Sequence, residues 1–337
     1  MTRESLKVVI PMAGYGTRLR PHTWSRPKTL MRIAGKTVLD YVLDMLQTLP
    51  DPTNVELIFI VGYLGDQFKP YMDEHYPHVK VHYVVQPEMR GQSHAIYLAK
   101  DLLSGPMLMV FADTLIETDL GLLSDDSLEA VAWVKPVEDP RRFGVAVVNE
   151  QGWVTKLVEK PQDVSNNLVV VGFYYFKQSP DLVAAIEEQM RRDIQLKGEY
   201  FLADAINIML ERGLKMRTSQ VEVWLDAGVP ATMLETNRYL LDHNRDNTVE
   251  AAQRSSLVIV PPVYIDPTAQ VTHSVIGPHA SIGPGCVIEN SLVRNSILEN
   301  EAQVTDAVLD GSLLGRKTRV QGRAGALNVG DNSTIEV

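Results

Sequence analysis

Residues Pro11–Leu30 read P-M-A-G-Y-G-T-R-L-R-P-H-T-W-S-R-P-K-T-L and follow directly on the apolar run Leu6–Ile10. The glycines at 14 and 16 can adopt positive φ and let backbone N–H groups approach phosphate oxygens. They begin a segment without acidic residues, which we call the basic loop (residues 14–36). Its bases are Arg18, Arg20, Arg26, Lys28, Arg32 and Lys36. Because Arg18 and Lys28 supply charge for phosphate groups, the pattern predicts a loop that binds a polyphosphate.

The basic loop contrasts with the rest of the chain, whose net charge is −10. A local basic island on an acidic protein indicates a small anionic ligand and not a nucleic acid, which needs a broad basic surface. The dinucleotide fingerprint G-x-G-x-x-G fits worse, because Leu19 stands where the third glycine would be, and the P-loop pattern is absent. An ordinary strand-to-helix turn with a solvated basic face is the alternative interpretation.

The pattern G-x-G-T-R-L-x-P-x-T-x-x-x-P-K, here uninterrupted, resembles the signature of the sugar-phosphate nucleotidyltransferases. This is the group of glucose-1-phosphate thymidylyltransferase and mannose-1-phosphate guanylyltransferase. The resemblance implies a Rossmann-like α/β domain with a mixed, mainly parallel sheet. It implies that Arg18 and Lys28 are catalytic, since they would neutralise a bound triphosphate. The residues that it assigns to nucleotide binding in this loop are Ala13, Gly14, Gly16 and Thr17.

Length and composition set the limits for the fold. With 337 residues, 45% of them hydrophobic, the chain is long enough for one large domain and a smaller one. We expect no membrane segment, because no apolar run approaches eighteen residues and no amino-terminal signal pattern is present. The single cysteine, Cys286, excludes an internal disulfide and favours a cytoplasmic location. We expect Cys286 to be a small packing residue.

Apolar strand-like runs alternate with helical patterns in the first half, which predicts a mainly parallel sheet with helices on both faces. Ligands of such sheets bind beyond the carboxyl ends of the strands. We therefore expect the loops at Ala13, Gln86 and Ala112 to form the site. The predicted strands are Leu6–Met12, Val55–Val61, Val79–Val85 and Met107–Phe111, and the predicted helices are Val38–Leu49, Gln67–His75 and Ser93–Leu103.

Three polar residues, Gln86, Asp113 and Asp226, each follow an apolar run. A glutamine amide both donates and accepts, so Gln86 can pair with the imide edge of thymine or uracil, and Gly91 lets a base lie against bare backbone. The resemblance implies that Gln86 and Gly91 bind the base. It also implies that Asp113 and Asp226 share one Mg²⁺, which accepts one or two carboxylates besides waters and phosphates. A helix-capping role is the alternative for Asp113.

The middle third predicts antiparallel strands at 145–148, 154–158 and 169–176 that would build a sugar-binding lobe. Glu159-Lys160-Pro161 resembles the E-K-P motif of the same family. The resemblance implies that Glu159 accepts hydrogen bonds from sugar hydroxyls and that Lys160, also catalytic, holds the sugar phosphate. Gly144 and Gly172 would let the hexose approach the backbone. The segment Gly198–Ile206 is expected to be structural, with Asp204 as a less certain contact.

From about Asn247 apolar residues recur in steps of five or six, from Ile259 to Ile335. Helices do not repeat at six, whereas a β-helix with three short faces per coil does. Resemblance to hexapeptide-repeat proteins makes this helix left-handed, with about four coils. The domains are thus a catalytic domain, 1–247, and a β-helix, 248–337. Oligomerisation is its favoured role; acyl transfer, with His273 or His279 as base, is the alternative.

The combined patterns imply transfer of a nucleotidyl group from a nucleoside triphosphate to a sugar 1-phosphate, with release of pyrophosphate. The favoured substrates are dTTP and glucose 1-phosphate, with UTP or GTP as alternatives, because Thr114 and Met12-Ala13 depart from the commonest thymidylyltransferase pattern. A non-catalytic paralogue that binds a nucleotide sugar is the rival of another class. We expect a homo-oligomer. Since every candidate catalytic residue precedes Asn247, a soluble fragment without the β-helix is expected to keep activity.

Overall fold

The computed structural model describes residues 4–322 and 325–336. These residues form two compact units. The first contains the chain up to Gly14 together with Val42–Trp224. The second contains Tyr15–Tyr41 and the chain from Leu225 onward. The second unit therefore joins most of the basic loop with the β-helix, although the two segments are far apart in sequence.

The strands and helices are numbered in chain order. The strands are β1 (Leu6–Pro11), β2 (Arg32–Ile33), β3 (Lys36–Thr37), β4 (Val55–Val61), β5 (Val81–Val85), β6 (Met107–Val110), β7 (Thr114–Ile116), β8 (Ala130–Pro136), β9 (Gly144–Val148), β10 (Val154–Glu159), β11 (Leu168–Phe176), β12 (Met216–Gln220), β13 (Trp224–Asp226), β14 (Leu257–Ile259), β15 (Val263–Ile265), β16 (Gln270–Thr272), β17 (Ser274–Ile276), β18 (Ala280–Ile282), β19 (Val287–Glu289), β20 (Leu292–Arg294), β21 (Ile297–Leu298), β22 (Gln303–Thr305), β23 (Val308–Asp310), β24 (Leu313–Leu314), β25 (Arg319–Gln321), β26 (Asn328–Val329) and β27 (Thr334–Glu336). The helices are α1 (Val38–Met45), α2 (Phe68–His75), α3 (Gln92–Leu98), α4 (Ser179–Arg191), α5 (Leu202–Glu211), α6 (Pro230–Leu240) and α7 (Thr248–Ala251).

The first unit is built on one mixed sheet with the strand order β10-β9-β11-β6-β1-β4-β5. Strand β8 also pairs with β11, and β12 pairs with β8. Strands β6, β1, β4 and β5 are parallel neighbours, as the alternation predicted. The strands predicted from 145 to 176 are antiparallel, but they extend this same sheet, because β11 pairs with β6. They do not form a separate sheet.

Apolar residues cover both faces of the central strands. Val8, Val9 and Ile10 in β1 are fully buried, as expected for a parallel strand between two helical layers. On one face Val9 and Ile58 belong to a core cluster shared with residues of α3, α4 and α5. The four strands predicted in the first half are confirmed within two residues at each end. Each of the three predicted helices is present, two of them ending as short 3-10 turns.

The carboxy-terminal part of the second unit is a short left-handed β-helix, as predicted. Its strands stack in three parallel sheets with the orders β14-β17-β20-β23, β15-β18-β21-β24-β26 and β16-β19-β22-β25-β27. Two sheets therefore hold five strands among the described residues, one coil more than the expected four. Stacked residues lie 15 to 17 positions apart in the chain, as Val258 with Val275 and Leu314 with Val329 show.

The axis of the β-helix is filled by columns of apolar side chains. One column, in successive coils, is Ile265, Ile282, Leu298, Leu314 and Val329. Cys286 is buried in this core, where burial raises the pKa of its thiol to about 12, so it acts as a packing residue. Among the described residues, no helix is both long and apolar enough to span a membrane.

Candidate functional site

The carboxyl edge of the parallel strands in the first unit collects the loops at Ala13, Gln86 and Ala112. Ala13 follows β1, Gln86 follows β5 and Ala112 follows β6, and these strands belong to one sheet. The loops are close-packed: a Cβ on Gly62, after β4, would lie 2.8 Å from the carbonyl oxygen of Ala13. The three loops thus lie at one edge of the sheet, as the strand pattern predicted, and their joint role in a site stays a prediction.

Gln86 is only 5% exposed, and its side chain is held by its own loop. Its amide nitrogen lies 3.3 Å from the carbonyl oxygen of Gly91 and 3.4 Å from Nδ1 of His94. Burial, with the positive charge of Arg90, lowers the pKa of His94, so the neutral ring can accept this hydrogen bond. In this orientation the amide oxygen of Gln86 accepts nothing from the described residues. The free acceptor is the group that an imide N–H would need.

Gly91 has φ +94°, and a Cβ there would lie 2.5 Å from the carbonyl oxygen of Tyr200. The same Tyr200 oxygen accepts from the N–H of Ser93 at 3.1 Å, and the N–H of Tyr200 donates to Arg90 at 2.9 Å. Glycine at 91 is thus required by the backbone of Tyr200. This packing explains why residue 91 is glycine, in addition to the predicted contact with a base. It fixes the Gln86 loop to the segment Gly198–Ile206, which the sequence indicated as structural.

Asp113 lies half-buried in the turn between β6 and β7. Phe111, two residues before it, donates its N–H to the carbonyl oxygen of Gly172 at 2.9 Å. Gly172 has φ +83°, and a Cβ there would lie 2.1 Å from the ring of Phe111. Gly172 was predicted to let a hexose approach the backbone. The structure adds a second reason for glycine, because the Phe111 ring fills the space that a side chain at 172 would occupy.

The residues predicted to bind the sugar phosphate lie together on the antiparallel strands. Glu159 pairs with Gly144 across β10 and β9, and burial raises the pKa of its carboxyl group. Lys160 has φ +49°; its Nζ lies 3.7 Å from a Glu159 oxygen and 4.5 Å from the centre of the Phe201 ring. The ammonium group is half-exposed, so it can still bind an anion. Phe201 was not predicted as part of this group.

Asp204 adds a second carboxylate beside Glu159. Burial raises the pKa of Asp204, and its charge contributes to the raised pKa of Glu159. Asp204 and Phe201 both come from the segment Gly198–Ile206. The sequence predicted Asp204 as a contact, and its position as an acid among apolar residues in the first turn of α5 is the signal that supports this prediction.

The basic loop begins in the first unit with Gly14 and continues in the second. Gly14 does not adopt positive φ, whereas Gly16 does, with φ +61°. A Cβ on Gly16 would lie 2.9 Å from the methyl group of Thr23, whose hydroxyl donates to the Gly16 carbonyl at 2.8 Å. Conformational freedom is therefore needed at Gly16 and not at Gly14. Thr17 and Arg18, which follow in a 3-10 turn, are exposed.

Not all bases of the basic loop face a ligand. Arg26 is bound to a buried carboxylate, with its guanidinium 2.6 Å from Oε2 of Glu299. Arg32 directs its guanidinium to the carbonyl oxygen of Gly35 at 2.7 Å. Both side chains therefore have structural roles. The predicted anion site thus does not use every base of the loop. Lys28 begins a 3-10 turn between them.

Asp226 is the last residue of β13, and two hydrogen bonds within the second unit orient its carboxylate. Its Oδ1 accepts from the N–H of Gly228 at 2.8 Å, and its Oδ2 accepts from the hydroxyl of Thr232 at 3.1 Å. Each carboxylate oxygen keeps a lone pair, so the residue can also bind a cation. The described residues contain no cluster of three or more His, Cys, Asp or Glu suited to a metal. Mg²⁺ needs only one or two carboxylates when substrate phosphates complete its shell, so the carboxylate of Asp226 suits such a site.

Comparison with known proteins gives the family. Residues 7–243 match the family model described as nucleotidyl transferase. The chain belongs to the nucleotidyl transferase family. The match covers strands β1 to β13, the basic loop and every residue proposed above to bind nucleotide, sugar phosphate or metal.

Several relatives extend the likeness into the β-helix. The low-salt glycan biosynthesis nucleotidyltransferase Agl11 of Haloferax volcanii is 30% identical, over 98% of this chain and 100% of that protein. The glucose-1-phosphate thymidylyltransferase of Streptomyces griseus is 28% identical, over 98% and 99%. The UTP--glucose-1-phosphate uridylyltransferase AglF of Haloferax volcanii is 28% identical, over 72% of this chain and 100% of that protein. A crystal structure of UDP-glucose pyrophosphorylase with UDP-glucose shares the fold, with a TM-score of 0.60 at 22% identity, over 71% of this chain and 99% of that one.

Proposed function

We propose that the protein transfers a nucleotidyl group from a nucleoside triphosphate to a sugar 1-phosphate and releases pyrophosphate. The observation that carries this proposal is the carboxyl edge of the sheet, where a buried amide with a free acceptor, Gln86, shares one edge with the acidic turn at Asp113. Family membership and the names of the relatives support the same reaction class.

The reaction is a single in-line displacement in which a phosphate oxygen of the sugar 1-phosphate attacks the α-phosphorus. The nucleophile is already ionised, so the protein needs to position and neutralise charge more than to remove a proton. Arg18 and Lys28 would bind the triphosphate, and Lys160 would hold the attacking phosphate. Glu159 and Asp204 would accept hydrogen bonds from sugar hydroxyls. A bond forms to the α-phosphorus as the bond to pyrophosphate breaks, without a covalent intermediate on the protein.

Asp113 and Asp226 would hold Mg²⁺. When bound, the ion would neutralise charge on the triphosphate. The protein's own contribution is orientation, since Gly228 and Thr232 already fix the carboxylate of Asp226 before any ligand binds.

We propose dTTP and glucose 1-phosphate as the substrates, with UTP as the nearest alternative. Gln86 pairs with an imide edge, which thymine and uracil share, and the relatives include a thymidylyltransferase and a uridylyltransferase. GTP is a further alternative, because guanine also carries an N–H next to a carbonyl oxygen. A screen of pyrophosphate release with five nucleoside triphosphates and several sugar 1-phosphates tests both the reaction and its substrates. No release with any pair would leave the non-catalytic paralogue as the better interpretation.

Acyl transfer on the β-helix stays an alternative. His279, one of its two candidate bases, donates from Nε2 to Oδ1 of Asp242 at 2.9 Å, and its carbonyl oxygen accepts from Asn237. These contacts give His279 a structural role between α6 and the β-helix. Acetyl-CoA consumption measured with the same sugar phosphates distinguishes the two activities.

Gln86→Ala is expected to reduce discrimination between nucleotides. The variant leaves an imide edge unpaired and costs about 1–3 kcal/mol in binding the preferred triphosphate. Ranking of triphosphates by kcat/KM in the variant and in the parent protein is the measurement. Gln92→Ala is the matched control, because among the described residues the side chain of Gln92 accepts a hydrogen bond from the N–H of Leu202, at 3.3 Å, and makes no other. An unchanged ranking in Gln86→Ala would show that Gln86 does not bind the base.

We also propose that the protein forms a homo-oligomer, in the cytoplasm, through the outer face of the sheet β14-β17-β20-β23. Four aligned apolar side chains point outward there, with Val258 58% and Val308 47% exposed and Val275 and Leu292 between them. A second copy of the chain would cover this row. Val258→Asp with Val308→Asp is expected to lower the mass measured by light scattering. A monomeric parent protein would contradict the proposal.

A further inference from the structure

The basic loop is attached to one corner of the β-helix by a series of short contacts. Glu299 follows β21 and Asp331 follows β26, so both lie at the corner after the same sheet. The contacts are Arg26 Nη1 to Glu299 Oε2 at 2.6 Å, Arg32 N to Glu299 Oε1 at 2.7 Å, Ser25 Oγ to Asp331 Oδ2 at 2.6 Å and His22 Nε2 to Asn328 Oδ1 at 2.7 Å. Close packing accompanies them, since a Cβ on Gly330 would lie 2.8 Å from Pro21.

Glu299 is the centre of this attachment. Its side chain is only 2% exposed, and a buried carboxylate is stable only when its charge and lone pairs are satisfied. One oxygen accepts from the guanidinium of Arg26 and the other from the backbone N–H of Arg32. Both partners belong to the basic loop, so the charge of Glu299 is balanced by the loop and not by the β-helix.

The repeat of the β-helix shows that its own stacking does not explain Glu299. In the five coils from Ile265 to Val329, the residue after each stacked apolar side chain is aspartate, glycine, glutamate, glycine and glycine. The aspartate, Asp266, accepts from the N–H and hydroxyl of Thr268 inside the β-helix. A Cβ on Gly283 would lie 2.8 Å from the Leu298 carbonyl oxygen, and one on Gly315 would lie 2.6 Å from the Asp331 nitrogen. The corner therefore favours glycine. Glu299 departs from that pattern, and its carboxylate binds the basic loop.

The two contacts of Glu299 lie on either side of Lys28. Arg26 precedes Lys28 by two residues and Arg32 follows it by four, and the turn between them is closed by Leu30 N–H to Pro27 O and Met31 N–H to Lys28 O. A carboxylate that fixes both ends of this turn fixes the direction in which Lys28 leaves it. Positioning of this kind affects rate strongly, because displacement of a binding group by about 1 Å can cost about a hundredfold.

We infer that Glu299 is a positioning residue for the triphosphate, and that the β-helix is part of the transferase machinery because its corner holds the basic loop. The inference rests on the proposed function, which assigns triphosphate binding to Arg18 and Lys28. Asp331 supports the same corner: although burial opposes it, hydrogen bonds from Ser25 and Arg316 keep the pKa of its carboxyl below the usual value.

The kinetic test compares Glu299→Gln, Glu299→Ala and the control Glu301→Gln. Glu301 lies two residues further along the same coil. Its side chain is exposed, and its ion pair with the equally exposed Lys317 is long, at 3.8 Å. We expect kcat/KM for the triphosphate to fall about tenfold or more in Glu299→Gln, and further in Glu299→Ala. KM for the sugar 1-phosphate should stay unchanged. Glu301→Gln should match the parent protein in both parameters.

Hydrogen exchange gives a readout that does not depend on activity. The Arg32 amide should lose protection in Glu299→Ala and keep it in Glu299→Gln, which retains an acceptor oxygen. A merely structural role would lower the unfolding temperature while kcat/KM per folded molecule stayed constant, and that result in either variant would overturn the inference. If Glu299→Ala does not fold, the isosteric Glu299→Gln decides. Absence of transfer in the parent protein would instead refute the proposed function.

Discussion

Asp226→Asn is expected to lower turnover on the order of a thousandfold at unchanged fold, because the loss of several kcal/mol of charge stabilisation corresponds to that factor. Asparagine has nearly the same shape, so the hydrogen bonds around β13 and α6 can largely persist. It has no negative charge for Mg²⁺. Its amide oxygen can still accept from the N–H of Gly228, whereas its NH₂ group can only donate to the hydroxyl of Thr232.

Asp113→Asn should be comparably damaging, and the pair together separates metal binding from folding. Pyrophosphate release over a Mg²⁺ titration is the measurement, with the unfolding temperature of each variant alongside. Asp242→Asn is the matched control, since this acid of the second unit contacts His279 and no proposed substrate group. Near-normal release by either site variant at saturating Mg²⁺ would remove that residue from the site.

The strands of the first unit could be predicted because their signal is local. Val55–Val61 is a continuous apolar run, and a strand buried on both faces needs one. Helix ends were less predictable. The run from Val38 was expected to stay helical to Leu49, but α1 ends at Met45 and a 3-10 turn follows. Leu49 precedes a proline, which disfavours the α conformation, and it is extended with ψ 148°.

The middle of the chain shows where local patterns are insufficient. Antiparallel strands were predicted there, but not their attachment to the central sheet. β11 is nine residues long and pairs with β6 at one end and with β9 near the other, so it joins the two halves. Its register with β8 shifts between Val170 and Tyr174, around Gly172. The glycine predicted for sugar access thus also marks an irregular strand packed on Phe111.

The attachment of the basic loop to the β-helix could not be predicted from spacing. Arg26 and Glu299 are 273 positions apart, and each looks like an ordinary charged residue in its own segment. A sequence signal did exist. Glutamate at 299 interrupts the glycines that follow the stacked apolar residues of neighbouring coils, and an interruption inside a repeat indicates a contact outside it. The loop was interpreted as one basic island, and the structural role of Arg26 was missed because its acidic partner lies in another part of the chain.

Removal of residues from Asn247 onward is expected to lower kcat/KM for the triphosphate by about a hundredfold, even in a fragment that stays soluble. The sequence alone predicted that such a fragment keeps activity, because every candidate catalytic residue precedes Asn247. The contacts of the basic loop change it, because truncation removes Glu299, Asn328 and Asp331 together. Arg26 would lose its counter-charge. The N–H of Arg32, at the end of the turn that carries Lys28, would lose its hydrogen-bond acceptor.

Two measurements separate this effect from general unfolding. Hydrogen exchange in β1 and β6 should match the full chain, since these strands belong to the first unit and pair with each other there. Trypsin should cleave the basic loop faster in the fragment, after Arg18, Lys28 or Arg32, which are not followed by proline, because a loop without its attachment can enter the protease. Retained activity in a fragment with slow cleavage would show that the loop holds its shape alone. Retained activity with fast cleavage would show that triphosphate binding orders it, and either result would confine the β-helix to assembly.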